Sequence, residues 1–319
     1  MLSGFVTARL GRLWSWTRST PVSTVLSTVL ATLVPSLVLL SGSATLAHAA
    51  QDRLLFWETT TPGSKVYLLG SMHLASADVY PLRDTIMQAF NGADKLVVEL
   101  DISGDRQLLV QQRMLERGMY RDGRTLQDDL SPDVYRELSQ RLADTGLPIE
   151  MLQGMKPGLV VTTLSTMEMM KLGLNPERGV DRYFLTQARG AKPILELETV
   201  DRQLDVVLDF PDPELLVRQS LSQLDDMEAL MNELVDSWKR GDSGALGKLV
   251  IEDELRQYPE YEALHERMFD DRNREMTEKI LGMQRQGGTY FVVVGAGHLV
   301  GEQGIVAMLE RQGQSPRQR

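Results

Sequence analysis

Two short apolar runs, near opposite ends of the chain, each end at a glycine that is followed three residues later by a histidine. The first is YLLGSMH, which ends at His73, and the second is FVVVGAGH, which ends at His298. Such runs have strand character, and segments with a helical pattern follow them. Strands that alternate with helices favour a parallel sheet, in which the carboxyl ends of the strands share one edge and ligands bind beside it. The sequence therefore predicts an α/β fold with a mostly parallel sheet and two strand-GxxH-helix units.

Carboxylates end two further predicted strands. Glu99 lies near the end of the apolar run 96–101, and Glu198 lies near the end of the run 193–199. Glu196 and Glu198 share one face of that strand because side chains alternate with a period of two, and Glu198 is nearer the carboxyl end. We therefore expect Glu99 and Glu198 at the same edge of the sheet as the two histidines.

Two imidazoles with one or two carboxylates are a sufficient ligand set for Mn²⁺, Fe²⁺, Co²⁺ or Zn²⁺. A metal with an open position lowers the pKa of bound water, and a carboxylate left off the metal can act as general base. Hydrolysis is therefore the predicted reaction class. The predicted metal ligands are His73, His298, Glu99 and Glu198.

Each of these signals also fits a simpler structural reading. A single GxxH occurs in ordinary turns, and a carboxylate at a strand end often serves as a cap. Arg178 and Asp181 precede a predicted helix, where they could orient a substrate carboxylate or a metal ligand, or form an ordinary ion pair. His265 lies in a charged helical region without a strand end nearby. Phe269 stands where an HExxH zinc motif requires its second histidine, so we expect a structural role for His265.

The first 49 residues have the pattern of a secretory signal peptide. They contain three arginines and no acidic residue, an apolar run over 22–40 and an A-x-A site at 47–49. An uncleaved membrane anchor is the alternative, because the apolar run is nearly as long as a membrane span. Both readings predict a periplasmic or secreted protein, in which the membrane is contacted only through this N-terminal segment.

The charge and cysteine content exclude several classes of function. The formal charge is −10, and it becomes −13 without the three N-terminal arginines. A body this acidic argues against nucleic acid as a partner, since phosphates require basic patches. The chain has no cysteine, so disulfides and thiolate chemistry are excluded, and a metal has to be bound through His, Asp or Glu.

The region 50–313 reads as one α/β domain that carries two helical segments, 104–172 and 212–287. The second segment contains long, charged, amphipathic patterns over 213–240, 243–257 and 259–286. We expect these helices to cover the sheet edge as a lid or to mediate homo-oligomerisation. The tail 314–319 follows Gly313 and is predicted to be disordered.

The ordered set of motifs resembles the TraB/GumN family, which is related to the Tiki metalloproteases. The set contains GSMH continuing through SADVYPL, VVELD around Glu99, GVD before Phe184, LET at Glu198, and GAGH. The resemblance covers residues 56–312. It implies an α/β fold built from two related halves, each with one GxxH histidine, and peptide hydrolysis that depends on a divalent metal, with Mn²⁺ or Co²⁺ as the ions. Its functional residues carry over onto His73, Glu99, Arg178, Glu198 and His298.

Together these observations predict an exported metal-dependent hydrolase, a metalloprotease that acts on a peptide or protein. Its metal would be Mn²⁺ or Co²⁺, with Zn²⁺ and Fe²⁺ as further candidates. The alternative is a periplasmic binding or accessory protein without catalytic activity, for example one linked to polysaccharide export, since the name GumN is associated with exopolysaccharide gene clusters.

Overall fold

A computed structural model describes residues 54–319, so the predicted signal peptide or anchor lies outside the described residues. The described strands form one six-stranded sheet. No helix within 54–319 is both long enough and apolar enough to span a membrane. The strands are β1 (Phe56–Thr61), β2 (Ser64–Ser71), β3 (Lys95–Val98), β4 (Ile194–Glu196), β5 (Gly288–Gly295) and β6 (Arg317–Gln318).

The sheet has the order β4-β3-β5-β2-β1-β6. The first four strands in this order run parallel to one another, whereas β1 is antiparallel to both β2 and β6. The two strands that precede the GxxH histidines are adjacent, with Ser71 opposite Gly295. The predicted α/β fold with a mostly parallel sheet is therefore confirmed, and its two strand-GxxH units lie side by side.

Helices cover the sheet, and the central strands are fully buried. Val97, Phe291 and Val292 are each 0% exposed, as expected for parallel strands that are covered on both faces. The helices are α1 (Asp84–Gly92), α2 (Asp105–Gly118), α3 (Pro132–Asp144), α4 (Pro157–Lys171), α5 (Val180–Ala188), α6 (Val200–Leu208), α7 (Pro213–Leu224), α8 (Met227–Arg240), α9 (Ser243–Gly247), α10 (Asp253–Gln257), α11 (Glu262–His265), α12 (Asp271–Arg285) and α13 (Ile305–Arg311).

The segment 212–287 differs in detail from the three continuous helices that the sequence predicts. The first predicted helix is divided into α7 and α8 at Asp225 and Asp226, because aspartate favours caps and turns over helix interiors. The other two continue through π-helical turns, Lys248–Glu252 between α9 and α10 and Glu266–Asp270 between α11 and α12. Such turns are frequent at functional sites.

The helices of this segment pack over the carboxyl edge of the parallel strands. Trp238 on α8 donates its indole N–H to the carbonyl oxygen of Gly70 at 2.6 Å. Phe269, in the second π-helical turn, lies with its ring centroid 5.3 Å from that of His298. The segment therefore covers the edge at which the predicted site residues lie, while its role in self-association stays a prediction.

The tail predicted to be disordered is instead ordered, so that prediction is wrong. β6 pairs with β1, and Arg319 donates its backbone N–H to Phe56 and accepts one from Leu54. The Arg319 guanidinium also binds Glu58. The physical reason is that β1 would otherwise be an edge strand with unpaired backbone groups, and the tail supplies those partners.

Candidate functional site

The four predicted metal ligands all follow strands that end at the same edge of the sheet. His73 follows β2, His298 follows β5, Glu99 directly follows β3, and Glu198 follows β4. Pairing continues beyond the short strand β4, since the backbone N–H of Glu198 donates to the carbonyl oxygen of Glu99 at 2.8 Å. The parallel register thus brings together residues that are far apart in the sequence.

Gly295 lies at the point where both imidazoles and one carboxylate meet. A Cβ atom added at Gly295 would lie 3.4 Å from His73 Nε2, 3.4 Å from His298 Cδ2 and 3.3 Å from Glu99 Oε1. The Gly295 N–H donates to the same Glu99 oxygen at 2.6 Å, and His298 Nε2 lies 3.8 Å from it. A side chain at position 295 would fill the space that these three groups face.

Each imidazole is oriented through its other ring nitrogen. His73 Nδ1 lies 3.2 Å from Asp181 Oδ1, and His298 Nδ1 lies 2.6 Å from Asn273 Oδ1. The Asn273 amide donates to the carbonyl oxygen of Gln303 at 2.9 Å, which assigns its own oxygen to His298. With Nδ1–H donated in this way, Nε2 carries the lone pair in the neutral form of each ring. This is the usual arrangement around metal-binding histidines.

A buried arginine on α12 binds both carboxylates. Arg272 donates Nε to Glu198 Oε1 at 2.7 Å and Nη2 to Glu198 Oε2 at 2.6 Å, and Nη2 also lies 2.8 Å from Glu99 Oε2. Gln203 donates to Glu198 Oε2 at 3.0 Å. Both oxygens of Glu198 are therefore occupied, whereas Glu99 keeps Oε1 on the side of the histidines.

The two histidines differ in charge because their partners differ. Burial opposes protonation of His73, but the Asp181 and Glu99 carboxylates outweigh it and raise its pKa to about 9. Burial and the nearby Arg272 lower the pKa of His298 to about 4. Burial alone would raise the pKa of Glu99, but the cationic groups around it, including Arg272, hold that pKa well below its usual range.

The family match extends over nearly all of the described residues. The model of the TraB/PrgY/gumN family matches residues 55–318. The chain belongs to this family.

Relatives of this family member come from several bacteria. The chain is 26% identical over 255 residues to uncharacterized protein YbaP of Escherichia coli K12, which covers 79% of this chain and 90% of that protein, and the same values hold for YbaP of Shigella flexneri. An uncharacterized protein of Treponema pallidum is 26% identical over 291 residues, covering 86% of this chain and 85% of its own length. No solved structure gives a significant match.

The remaining residues considered from the sequence lie at different distances from the site. Asp181 binds His73. Arg178 is exposed, and its guanidinium has no hydrogen-bond or ion-pair partner within 54–319. It precedes Gly179, where an added Cβ would lie 2.3 Å from the carbonyl oxygen of His73. Glu196 binds Arg106 and is not part of the site.

The surroundings of His265 agree with the structural role expected from the sequence. It is buried, and its ring centroid lies 4.8 Å from that of Phe269. Burial lowers its pKa to about 4. None of its described contacts joins it to the group around Gly295.

Sequence reasoning missed Arg272, Asn273 and Gln203. A signal for the first two exists in the helical pattern of 262–285, where one apolar stripe is interrupted by two polar residues. A polar residue inside an apolar stripe is buried and needs partners, so it marks a site candidate. The apolar members of this stripe are Leu264, Met268, Met276 and Ile280, each buried.

A divalent metal requires several nitrogen or oxygen donors around one point. Within residues 54–319, no group of three or more His, Asp or Glu side chains is already arranged to hold a metal ion. The chemistry nevertheless fits, because His73 Nε2 and Glu99 Oε1 face the space beside Gly295 and His298 Nε2 lies 3.8 Å from Glu99 Oε1. A metal bound there would displace the Nε2 proton of His73. Both rings also carry the second contacts that metal-binding histidines need. Glu198 fits less well, since Arg272 and Gln203 occupy its oxygens.

Proposed function

We propose that this protein is a metal-dependent hydrolase that cleaves peptides, and that it is exported as its N-terminal sequence predicts. The main support is the pair of imidazoles oriented by Asp181 and Asn273, with Glu99 Oε1 beside them. The reaction class rests on the resemblance to metal-dependent peptide hydrolases and on this donor set.

In this proposal His73, His298 and Glu99 hold the cation, Mn²⁺ or Co²⁺ in the first place and Zn²⁺ or Fe²⁺ as further candidates. A cation bound there would lower the pKa of a water molecule and polarise the scissile carbonyl. Asp181 and Asn273 hold the Nδ1 atoms of the two rings, so each Nε2 would be available to the cation once His73 has lost its proton. Loss of such supporting contacts typically lowers metal affinity by about 10- to 100-fold.

Glu198 takes a positioning role in this proposal rather than the role of general base that the sequence left open. Together with Gln203 it holds Arg272, which in turn fixes Glu99 Oε2. Arg178 is exposed on the loop that packs against His73. Its free guanidinium is suited to binding a carboxylate of the peptide.

A second candidate is a binding or accessory protein without turnover. The Arg272 ion pairs favour it, because Arg272 binds both carboxylates and leaves neither of them unpaired as a base. In this case the fold and the histidine pair would bind a ligand without hydrolysing it.

The test is cleavage of unstructured peptides by the purified protein with added Mn²⁺ or Co²⁺. We expect cleavage that a chelator abolishes and that His298→Ala reduces by at least 100-fold. His265→Phe is the matched control, since it removes a buried histidine outside the site and keeps the ring packing on Phe269.

Metal analysis separates the two candidates. The wild type should retain about one equivalent of metal, and the double variant His73→Ala/His298→Ala should retain none. Tight metal binding with an intact peptide library would favour the accessory protein. Equal metal content in the wild type and the double variant would reject both roles for the histidine pair.

A further inference from the structure

A cavity of about 80 Å³ lies directly beside the two histidines. His73, Gly295 and His298 form its polar end, and the side chains of Met231 and Trp238 on α8 are part of its apolar wall. Some of the residues that line the cavity, among them Met72 and Leu234, are half-buried and remain partly exposed to solvent. An apolar space that adjoins a polar reaction site is typical of substrate-binding pockets.

Both π-helical turns contribute to this cavity. Val250 belongs to Lys248–Glu252 and Phe269 belongs to Glu266–Asp270, and both side chains line the space. Each turn contains one more residue than a regular helical turn, which changes the direction of its side chains. The two irregularities of the covering helices thus coincide at one cavity.

The size of the cavity determines which apolar side chains fit into it. A cavity of about 150 Å³ with aliphatic and aromatic walls binds benzene and stays free of water. This cavity has about 80 Å³, so an aliphatic side chain fits better than an aromatic ring. Each buried methylene group favours binding by about fourfold.

The hydroxyl of Ser71 is a polar group in the cavity wall that has no hydrogen-bond partner. It is 3% exposed at the end of β2, opposite Gly295, and it lines the cavity. Its Oγ makes no hydrogen bond, and of the four such buried side-chain atoms within 54–319 it is the one in the cavity wall. A buried hydroxyl without a partner is uncommon and indicates a group that binds a ligand or water.

We propose that this cavity binds one aliphatic side chain of the peptide substrate, next to the bond that is cleaved, and that the Ser71 hydroxyl hydrogen-bonds the peptide backbone beside that side chain. The substrate class is therefore peptides with leucine or a residue of similar size at that position. The inference rests on the proposed function for the peptide, but it concerns binding, which can be measured without turnover.

The first experiment measures binding of fluorophore-labelled Gly-Gly-Xaa-Gly-Gly peptides by anisotropy, with a chelator present, for Xaa = Ala, Val, Leu and Phe. We expect the leucine peptide to bind at least tenfold tighter than the alanine peptide, and tighter than the phenylalanine peptide. Met231→Ala enlarges the cavity and should make the phenylalanine peptide the tighter ligand. Met227→Ala is the matched control, because Met227 is a buried methionine on the same helix that does not line the cavity.

The second experiment compares Ser71→Ala with Ser237→Ala. Both serines have a buried hydroxyl without a partner, but Ser237 does not line the cavity. We expect Ser71→Ala to weaken binding of the leucine peptide by about five- to tenfold without lowering thermal stability. Ser237→Ala should leave the affinity unchanged.

The outcomes separate this inference from the proposed hydrolysis. A leucine preference that Met231→Ala moves toward phenylalanine supports the pocket. If the same preference is found and no peptide is cleaved with Mn²⁺ or Co²⁺, the pocket stands and hydrolysis is rejected. Equal affinity for all four peptides, or identical behaviour of Met231→Ala and Met227→Ala, overturns the pocket even if peptides are cleaved.

Discussion

Replacing Arg272 with methionine removes the cation that pairs with both Glu99 and Glu198. The Arg272 side chain is 2% exposed, and the two carboxylate side chains are 7% and 1% exposed. After the substitution both carboxylates would be buried without their charged partner. Methionine keeps most of the apolar volume of arginine, so the loss is mainly electrostatic.

The expected loss of stability follows from the geometry of these contacts. Breaking a buried ion pair by removing one partner typically costs about 3–5 kcal/mol, because an uncompensated charge remains. Arg272 makes three hydrogen bonds to two carboxylates, so we place Arg272→Met in this range. For a domain of this size the melting temperature should fall by on the order of 10 °C.

The assay is guanidinium-induced unfolding at pH 7 with a chelator, so that no bound ion contributes. Arg202→Met is the matched control, since Arg202 pairs with the half-exposed Glu275 and should cost less than about 1 kcal/mol. Adding Glu99→Gln and Glu198→Gln to Arg272→Met should recover more than half of the loss. A loss below about 1 kcal/mol for Arg272→Met, or no recovery in the triple variant, would refute this account of the site.

Three further predictions concern a supporting contact, a buried acid and the tail. Asn273→Ala frees the ring of His298, so Mn²⁺ affinity measured by calorimetry should fall by about 10- to 100-fold, and an unchanged affinity would contradict the proposed role. Burial raises the pKa of Glu254 from 4.5 to about 8. The folded protein therefore holds this proton more tightly than the unfolded chain does, and its stability falls as pH rises from about 4.5 to 8. Glu254→Gln should therefore unfold at a higher temperature than wild type at pH 8 but not at pH 5, and a gain of equal size at both values would argue against a raised pKa. Deleting 317–319 removes the hydrogen bonds of β6 to β1 and should cost about 2 kcal/mol in chemical denaturation, whereas an unchanged midpoint would mean that the tail adds no stability.

The sheet and its edge were predictable because strand signals are local. Apolar runs that end at a glycine or an acidic residue mark β2, β3 and β5, and the alternation with helices favours the parallel arrangement. The position nearer the carboxyl end of the strand distinguished Glu198 from Glu196, and the structure places only Glu198 beside Arg272. The predicted helix boundaries were less accurate, since the helix predicted over 213–240 is interrupted at Asp225.

The contacts of the site depend on interactions between segments, and a local pattern can mark a residue as buried without identifying its partners. Arg272 and Asn273 lie on a helix whose sequence looks charged and solvated, and their burial follows from its packing over the sheet. The tail likewise gained its order from an edge strand more than 250 positions away. In both cases the stabilisation comes from hydrogen-bonding groups that would otherwise have no partner: buried polar side chains at the site, and backbone groups of the edge strand at the tail.

By itself, the amino-acid sequence determined the α/β fold, the strand ends that carry His73 and His298, and the family to which the chain belongs. Only the tertiary structure decided how these residues are held: Asp181 and Asn273 orient the rings, and Arg272 binds the carboxylates. Periodicity and strand signals extend over a few neighbouring residues, so they fix local structure. Hydrogen bonds and ion pairs within the site join distant segments, and their partners are set when helix and sheet pack together.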